Sequence, residues 1–80
     1  MIFEYENDLY KYDLSFEDTF DGPYLMICTS YHERPNSSIM MGLPIKNDKI
    51  VWLPDNVASL KLTPQVMQYA DRLMQLKVFW

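Results

Sequence analysis

The sequence predicts one small α+β domain, in which a twisted antiparallel sheet of four to five strands carries one C-terminal amphipathic helix. Three observations predict it: apolar residues alternate with polar ones near the N-terminus, Asn-Asp pairs recur between apolar runs, and apolar residues recur at helical spacing after Thr63-Pro64. A chain of 80 residues has the length of a single domain, residues 1–80. The predicted elements are an N-terminal hairpin over 2–16, a strand over 24–31, a hairpin over 39–53 and a helix over 64–77.

The first hairpin is predicted from alternation with a period of two residues, which is typical of half-buried strands. Aromatic and acidic residues alternate over 2–6, and a second alternating run covers 9–16. Asn7-Asp8 lies between the runs, and both residue types tolerate the left-handed backbone that a two-residue loop requires. This loop predicts a register that pairs Tyr5 with Tyr10 and Phe3 with Tyr12, and on the other face Glu4 with Lys11.

Residues 17–23 are predicted to form an acidic loop, because Asp21-Gly22-Pro23 is strong turn chemistry. Phe20 within this loop has two interpretations. A large apolar side chain is more often a plug in the core than an exposed anchor for a partner, so the plug is favoured.

A central strand is predicted over Tyr24–Tyr31, because apolar residues occupy both of its faces. A polar loop over 32–38 should follow. The next run, 39–45, is broken by Gly42 and Pro44, which favours an edge strand or a bulged strand. A second Asn-Asp turn, Asn47-Asp48, then predicts a return strand over 50–53 that Pro54 stops.

The C-terminal part of the chain contains the helix. Residues 57–62 fit either a short strand or a helical turn. Thr63 as N-cap and Pro64 at the first helical position then mark a clear helix start. The chain ends in Phe79-Trp80, which either packs into the core, the favoured interpretation, or anchors a partner or a second copy.

Charge is distributed unevenly along the chain, whose net charge is −4. Residues 1–21 contain seven carboxylates and one lysine, a net charge of −6, while the remaining residues contain six basic and four acidic side chains, a net charge of +2. The acidic part is either a solubilising surface or a surface that binds a basic partner. It disfavours direct contact with nucleic-acid phosphates.

Few residues could carry chemistry. Cys28 and His32 are each the only one of their type, and Cys28 is predicted to lie in mid-strand on a buried face, where a thiol is inert. The spacing of the acidic residues does not match a calcium loop, and no phosphate-binding glycine motif is present. We therefore expect no enzyme activity, no cofactor and no metal.

The expected compartment is the cytoplasm. A single cysteine fits a reducing environment, and apolar runs such as Tyr24–Cys28 are far shorter than the roughly twenty residues of a membrane span. The N-terminus lacks the pattern of a signal peptide, and Met1 is expected to be the native start of a complete gene product.

Protein binding is the function class that the sequence favours, because carboxylates cluster beside aromatic residues and Met40-Met41 adjoins a broken edge strand. By analogy with small acidic accessory proteins of phages and mobile elements, the sequence indicates an inhibitor or modulator that docks its acidic hairpin on a basic, nucleic-acid-binding partner protein. The alternative is a homo-oligomeric assembly protein that pairs through its edge strand and aromatic tail. The predicted partner-binding residues are Glu4, Glu6, Asp13, Glu17, Asp18, Phe20, Asp21 and Trp80.

Overall fold

The computed structural model describes residues 2–76 and shows a curled five-stranded antiparallel sheet with two helices, which confirms the predicted α+β class. The strands lie side by side in chain order. Trp80, Phe79 and the last residue of the predicted helix, Lys77, lie outside the described residues. The elements are β1 (Ile2–Tyr5), β2 (Asp8–Thr19), β3 (Gly22–Tyr31), β4 (Arg34–Lys46), β5 (Lys49–Ile50), α1 (Pro54–Ser59) and α2 (Pro64–Leu76).

The core lies on one face of the sheet, which we call the core face. Alternate residues of β2, β3 and β4 point to this face and meet the apolar sides of α2 and the α1–α2 connection. The central position of β3, between β2 and β4, is as predicted. The buried apolar side chains are Tyr12, Leu25, Ile27, Leu43, Ile45, Ile50, Leu60, Leu62, Val66, Ala70 and Met74.

The predicted helix is confirmed as α2. The Thr63 hydroxyl oxygen accepts a hydrogen bond from the Val66 backbone N–H at 3.4 Å, and Pro64 occupies the first turn. The buried positions Val66, Ala70 and Met74 recur every four residues, so they form one apolar stripe against the sheet.

The second hairpin differs from its prediction, because the return strand is only two residues long and a second helix, α1, begins at Pro54. Proline is tolerated at a first helical position, so Pro54 starts a helix here instead of only ending a strand. Of the two interpretations of residues 57–62, the helical turn is correct. Helix α1 ends with Lys61 in left-handed backbone at φ 57°.

The end of α1 is a Schellman motif, in which the Leu62 N–H donates to the Val57 carbonyl at 3.1 Å and the Lys61 N–H to that of Ala58 at 3.2 Å. A glycine is usual at the position of Lys61. The Tyr12 hydroxyl donates a hydrogen bond to the Lys61 carbonyl, so a strand residue fixes the connection between the helices.

The predicted register of the N-terminal hairpin is wrong, because the two-residue loop lies one residue earlier in the chain than predicted. The loop is Glu6-Asn7, both with positive φ (48° and 72°), so Tyr5 pairs with Asp8 and Phe3 with Tyr10. The shift moves the partner by two residues, which keeps every side chain on its predicted face.

The predicted register pairs Phe3 with Tyr12 and Tyr5 with Tyr10 directly. In the structure these residues are diagonal neighbours across the two strands, and their rings are still in contact. The ring centroids of Phe3 and Tyr12 are 6.2 Å apart, and those of Tyr5 and Tyr10 are 6.1 Å apart. The hairpin therefore retains its aromatic face with different direct partners.

Both predicted loops are shorter than expected, because β2 and β3 continue almost to the turn. The turns are Phe20-Asp21 and His32-Glu33. Strand β4 begins at Arg34 and is bulged, since Tyr31 pairs with Arg34 whereas Ser30 pairs with Ser38. The bulge precedes the predicted run 39–45, which pairs regularly with β3 over 39–44 and has β5 beside it only at Ile45, so this run is an edge strand over most of its length.

Candidate functional site

The candidate site lies on the sheet face that points away from the core, which we call the open face. Its acidic side comes from β2, where Asp13 and Glu17 are both exposed and four residues apart on one strand. They are paired across the sheet with Cys28 and Tyr24 of β3. Carboxylates therefore line one side of an apolar strip.

The apolar strip consists of Tyr24, Met26 and Cys28, all half-buried although they lie on the sheet face opposite to α1 and α2. Gly42 of β4, which pairs with Met26, makes room for this packing: a Cβ at Gly42 would lie 3.0 Å from the Met26 sulfur and 3.3 Å from Cδ2 of Tyr24. The Met26 and Tyr24 side chains thus lie across the glycine. All three side chains of the strip stay partly exposed to solvent.

A shallow cavity of about 230 Å³ lies on the open face where the carboxylates meet the strip. Asp13 and Ser15 line one side, Met26 and Cys28 the base, and Met40 the other side. Met40 is 65% exposed. An adaptable methionine beside an acidic group suits a mixed apolar and basic side chain, such as that of lysine or arginine.

The turn between β2 and β3 projects Phe20, whose relative exposure of 108% is the highest of the exposed large apolar side chains. The favoured interpretation of Phe20 as a core plug is therefore wrong. The turn is held by Thr19, whose hydroxyl donates to the Gly22 carbonyl at 2.7 Å and accepts from the Asp21 N–H at 3.2 Å. Gly22 has φ 115°, which favours glycine. The Phe20 ring is therefore exposed on a turn that the two hydrogen bonds of Thr19 stabilise.

The structure brings together only part of the predicted set. Glu4, Asp13 and Glu17 point to the open face, with Lys11 also on this face. Asp18 is exposed but belongs to the alternate face of β2. Two further members lie in turns at opposite ends of β2, in a molecule whose longest dimension is 35 Å: Glu6 at the first, and Asp21, next to Phe20, at the second.

Sequence reasoning did not assign Tyr24, Met26 or Cys28 to the site. The signal was present, because apolar residues on both faces of β3 exceed what helices on one face can cover. The predicted buried face for Cys28 is wrong: the thiol is half-buried on the open face.

No catalytic constellation is evident among residues 2–76. His32 is exposed in the β3–β4 turn, where its backbone N–H donates to the Leu9 carbonyl at 2.9 Å. Within the same residues, no group of three or more histidine, cysteine or acidic side chains could hold a metal ion. No helix in this part of the chain is long and apolar enough to span a bilayer.

Among residues 2–76, three groups with raised pKa values lie on the other side of the sheet or at its ends. Burial raises the pKa of Tyr12 to about 12, with smaller contributions from Tyr10 and Tyr5. The hydrogen bond that the Tyr31 hydroxyl donates to Asp8 at 3.1 Å raises the pKa of Tyr31. Burial also raises the pKa of Asp71, against the opposing effect of a hydrogen bond from the Trp52 side chain.

Asp71 lies beside a cavity of about 330 Å³ between α2 and the β4–β5 turn. Asp48 and Lys49 line its other side, and Trp52 its wall. Because Asp48 and Lys49 are both exposed, the residues that line this cavity do not form an enclosed acid–base pair with Asp71. We therefore place the candidate site on the open face.

Comparison with known proteins gives no further guide, since no family model, no curated protein and no solved structure matches this chain.

Proposed function

We propose that this chain is a small non-catalytic protein-binding module, an inhibitor or modulator that docks on a basic surface of a partner protein. The observation that supports this most is the juxtaposition of Asp13 and Glu17 with the uncovered strip of Tyr24, Met26 and Cys28. Interfaces combine an apolar patch with a polar rim, and the open face has both.

The proposed partner surface is rich in lysine and arginine, of the kind that binds nucleic-acid phosphates, with the carboxylates of this chain taking the place of the phosphates. Charge complementarity of this type mainly accelerates encounter and makes it depend on salt. The exposed ring of Phe20, at the end of the same strand as Glu17, would supply the desolvated anchor. The proposal rests here on an analogy of composition with small acidic accessory proteins of phages and mobile elements.

Reversing the open-face charges with Asp13→Lys/Glu17→Lys should slow association with the partner by about tenfold and flatten its salt dependence. Both side chains are exposed, so the fold should be retained. The partner is first identified by purification of the tagged protein from its native cells, and association rates are then measured at low and high ionic strength.

The matched control is Asp48→Lys/Asp55→Lys, which changes the net charge equally at two exposed positions away from the open face. It should retain most of the association rate. Equal slowing in both double variants would reduce the effect to net charge and would contradict a localised docking surface.

Truncating the anchor with Phe20→Ala should weaken binding to the same partner by roughly 30-fold, mainly through faster dissociation. The side chain packs on little of the core, so thermal stability should change by less than about 0.5 kcal/mol. Surface plasmon resonance separates the two rates. Wild-type dissociation in the variant would exclude Phe20 from the interface.

A further inference from the structure

The outer edge of β4 is exposed over a stretch that is separate from the carboxylates of β2. Residues 36–40 are exposed at five consecutive positions although they lie within a strand. Strand β5 pairs with β4 only at Ile45 and Lys46. Most of this edge therefore has no neighbouring strand among residues 2–76.

Backbone hydrogen bonds show which groups point outward. The Val51 N–H donates to the Pro44 carbonyl at 2.9 Å, and the Asn56 side-chain amide donates to the Gly42 carbonyl at 3.5 Å. Both acceptors are on the side away from β3, and successive residues of a strand alternate in direction. The N–H and C=O groups of Ser38 and Met40 must therefore also point outward, and no described residue pairs with them.

The stretch from Ser38 to Gly42 lies between the bulge of β4 and Pro44, and it has no charged side chain, bulge or proline of its own to protect the edge. Charged side chains at the edge are a common device against pairing with another chain. None occurs between Arg34 and Lys46, and Ile39 and Met40 are 45% and 65% exposed. The chain itself covers the edge from Gly42 onward, through Asn56 and β5, so the open part is short and defined.

We propose that the β4 edge pairs antiparallel with the β4 edge of a second copy, about a two-fold axis at Ile39. In this register Ser38 of each copy lies opposite Met40 of the other, so the same outward N–H and C=O groups are satisfied in both strands. The two sheets then continue into one another. Because the edge is short, the dimer is weak and depends on concentration. The inference goes beyond the proposed function, since it needs neither the carboxylates nor Phe20.

The test is Ser38→Pro, which removes an outward N–H without removing a hydrogen bond to β3, a position where an edge strand tolerates proline. Sedimentation equilibrium up to about 1 mM protein should show a monomer–dimer equilibrium for the wild type. Ser38→Pro should weaken dimerisation at least tenfold. Ser38→Ala, which keeps the N–H, should dimerise like the wild type.

The proposal is overturned if the wild type stays monomeric over this range, if Ser38→Pro dimerises normally, or if Ser38→Ala loses as much as Ser38→Pro. Amide hydrogen exchange of the wild type gives a second readout that does not depend on how the proline variant folds. Protection of the Ser38 and Met40 amides should rise with protein concentration. Protection that is independent of concentration would also reject pairing at this edge.

Discussion

Replacing Tyr12 with alanine should destabilise the fold by about 3–5 kcal/mol, close to the whole stability of a small domain. Tyr12 is 1% exposed, its ring contacts Phe3 of β1, and its hydroxyl binds the Lys61 carbonyl. It therefore connects the N-terminal hairpin, the centre of the sheet and the α1–α2 connection. Urea unfolding followed by circular dichroism measures the loss.

The control for this prediction is Tyr12→Phe, which keeps the ring and removes only the hydrogen bond. It should cost about 1–2 kcal/mol, because the Lys61 carbonyl then loses its donor. If alanine and phenylalanine cost the same, the ring contributes no packing energy at this position, and Tyr12 does not hold the hairpin to the core.

The sequence predicted the faces of the sheet better than its pairing. Period-two alternation assigned Tyr12 to an aromatic face, and this assignment survives a loop one residue earlier than expected. Which two residues form the loop depends on small differences between left-handed conformations. Residue preference would place Asn7 and Asp8 in the loop, because glutamate is unusual at positive φ. The loop instead contains Glu6 and Asn7.

Helix α1 was less predictable because its signals are weak. Its N-cap, Leu53, makes no side-chain capping bond, and the helix has six residues. Such a helix is stable only through packing, here by Leu60 and Leu62 that follow it into the core. A proline after an apolar strand is compatible with either a strand end or a helix start.

The candidate site was predictable in its charges and not in its apolar half. Alternation alone places Asp13 and Glu17 on one face. The sequence could not decide which face of β3 the helix covers, because Met26 and Cys28 are as apolar as Leu25 and Ile27. That choice depends on the packing of α2, and it determines that the methionine and cysteine side chains adjoin the carboxylates.

Raising the pH through 10 to 12 should remove about 2–3 kcal/mol of stability through Tyr12 alone. Burial raises the pKa of Tyr12 in the folded protein to about 12, above the unfolded value of 10.0. The folded state therefore holds the phenolic proton more tightly. This contribution is complete below pH 10 and is lost as the pH rises through 12, since ionisation then favours the unfolded chain.

The same linkage predicts that the order of stability reverses between the wild type and Tyr12→Phe. Near pH 8 Tyr12 keeps its proton in the folded and the unfolded state, and the two proteins carry the same other titrating groups. The wild type should therefore be the more stable of the two by the free energy of its hydrogen bond to the Lys61 carbonyl. Near pH 12 the wild type alone must ionise a buried phenol, so the phenylalanine variant should become the more stable. Denaturant unfolding of both proteins at matched pH values measures this difference. A difference that stays constant across the range would show that Tyr12 titrates alike in both states, and therefore that its hydroxyl is hydrated instead of buried against the Lys61 carbonyl.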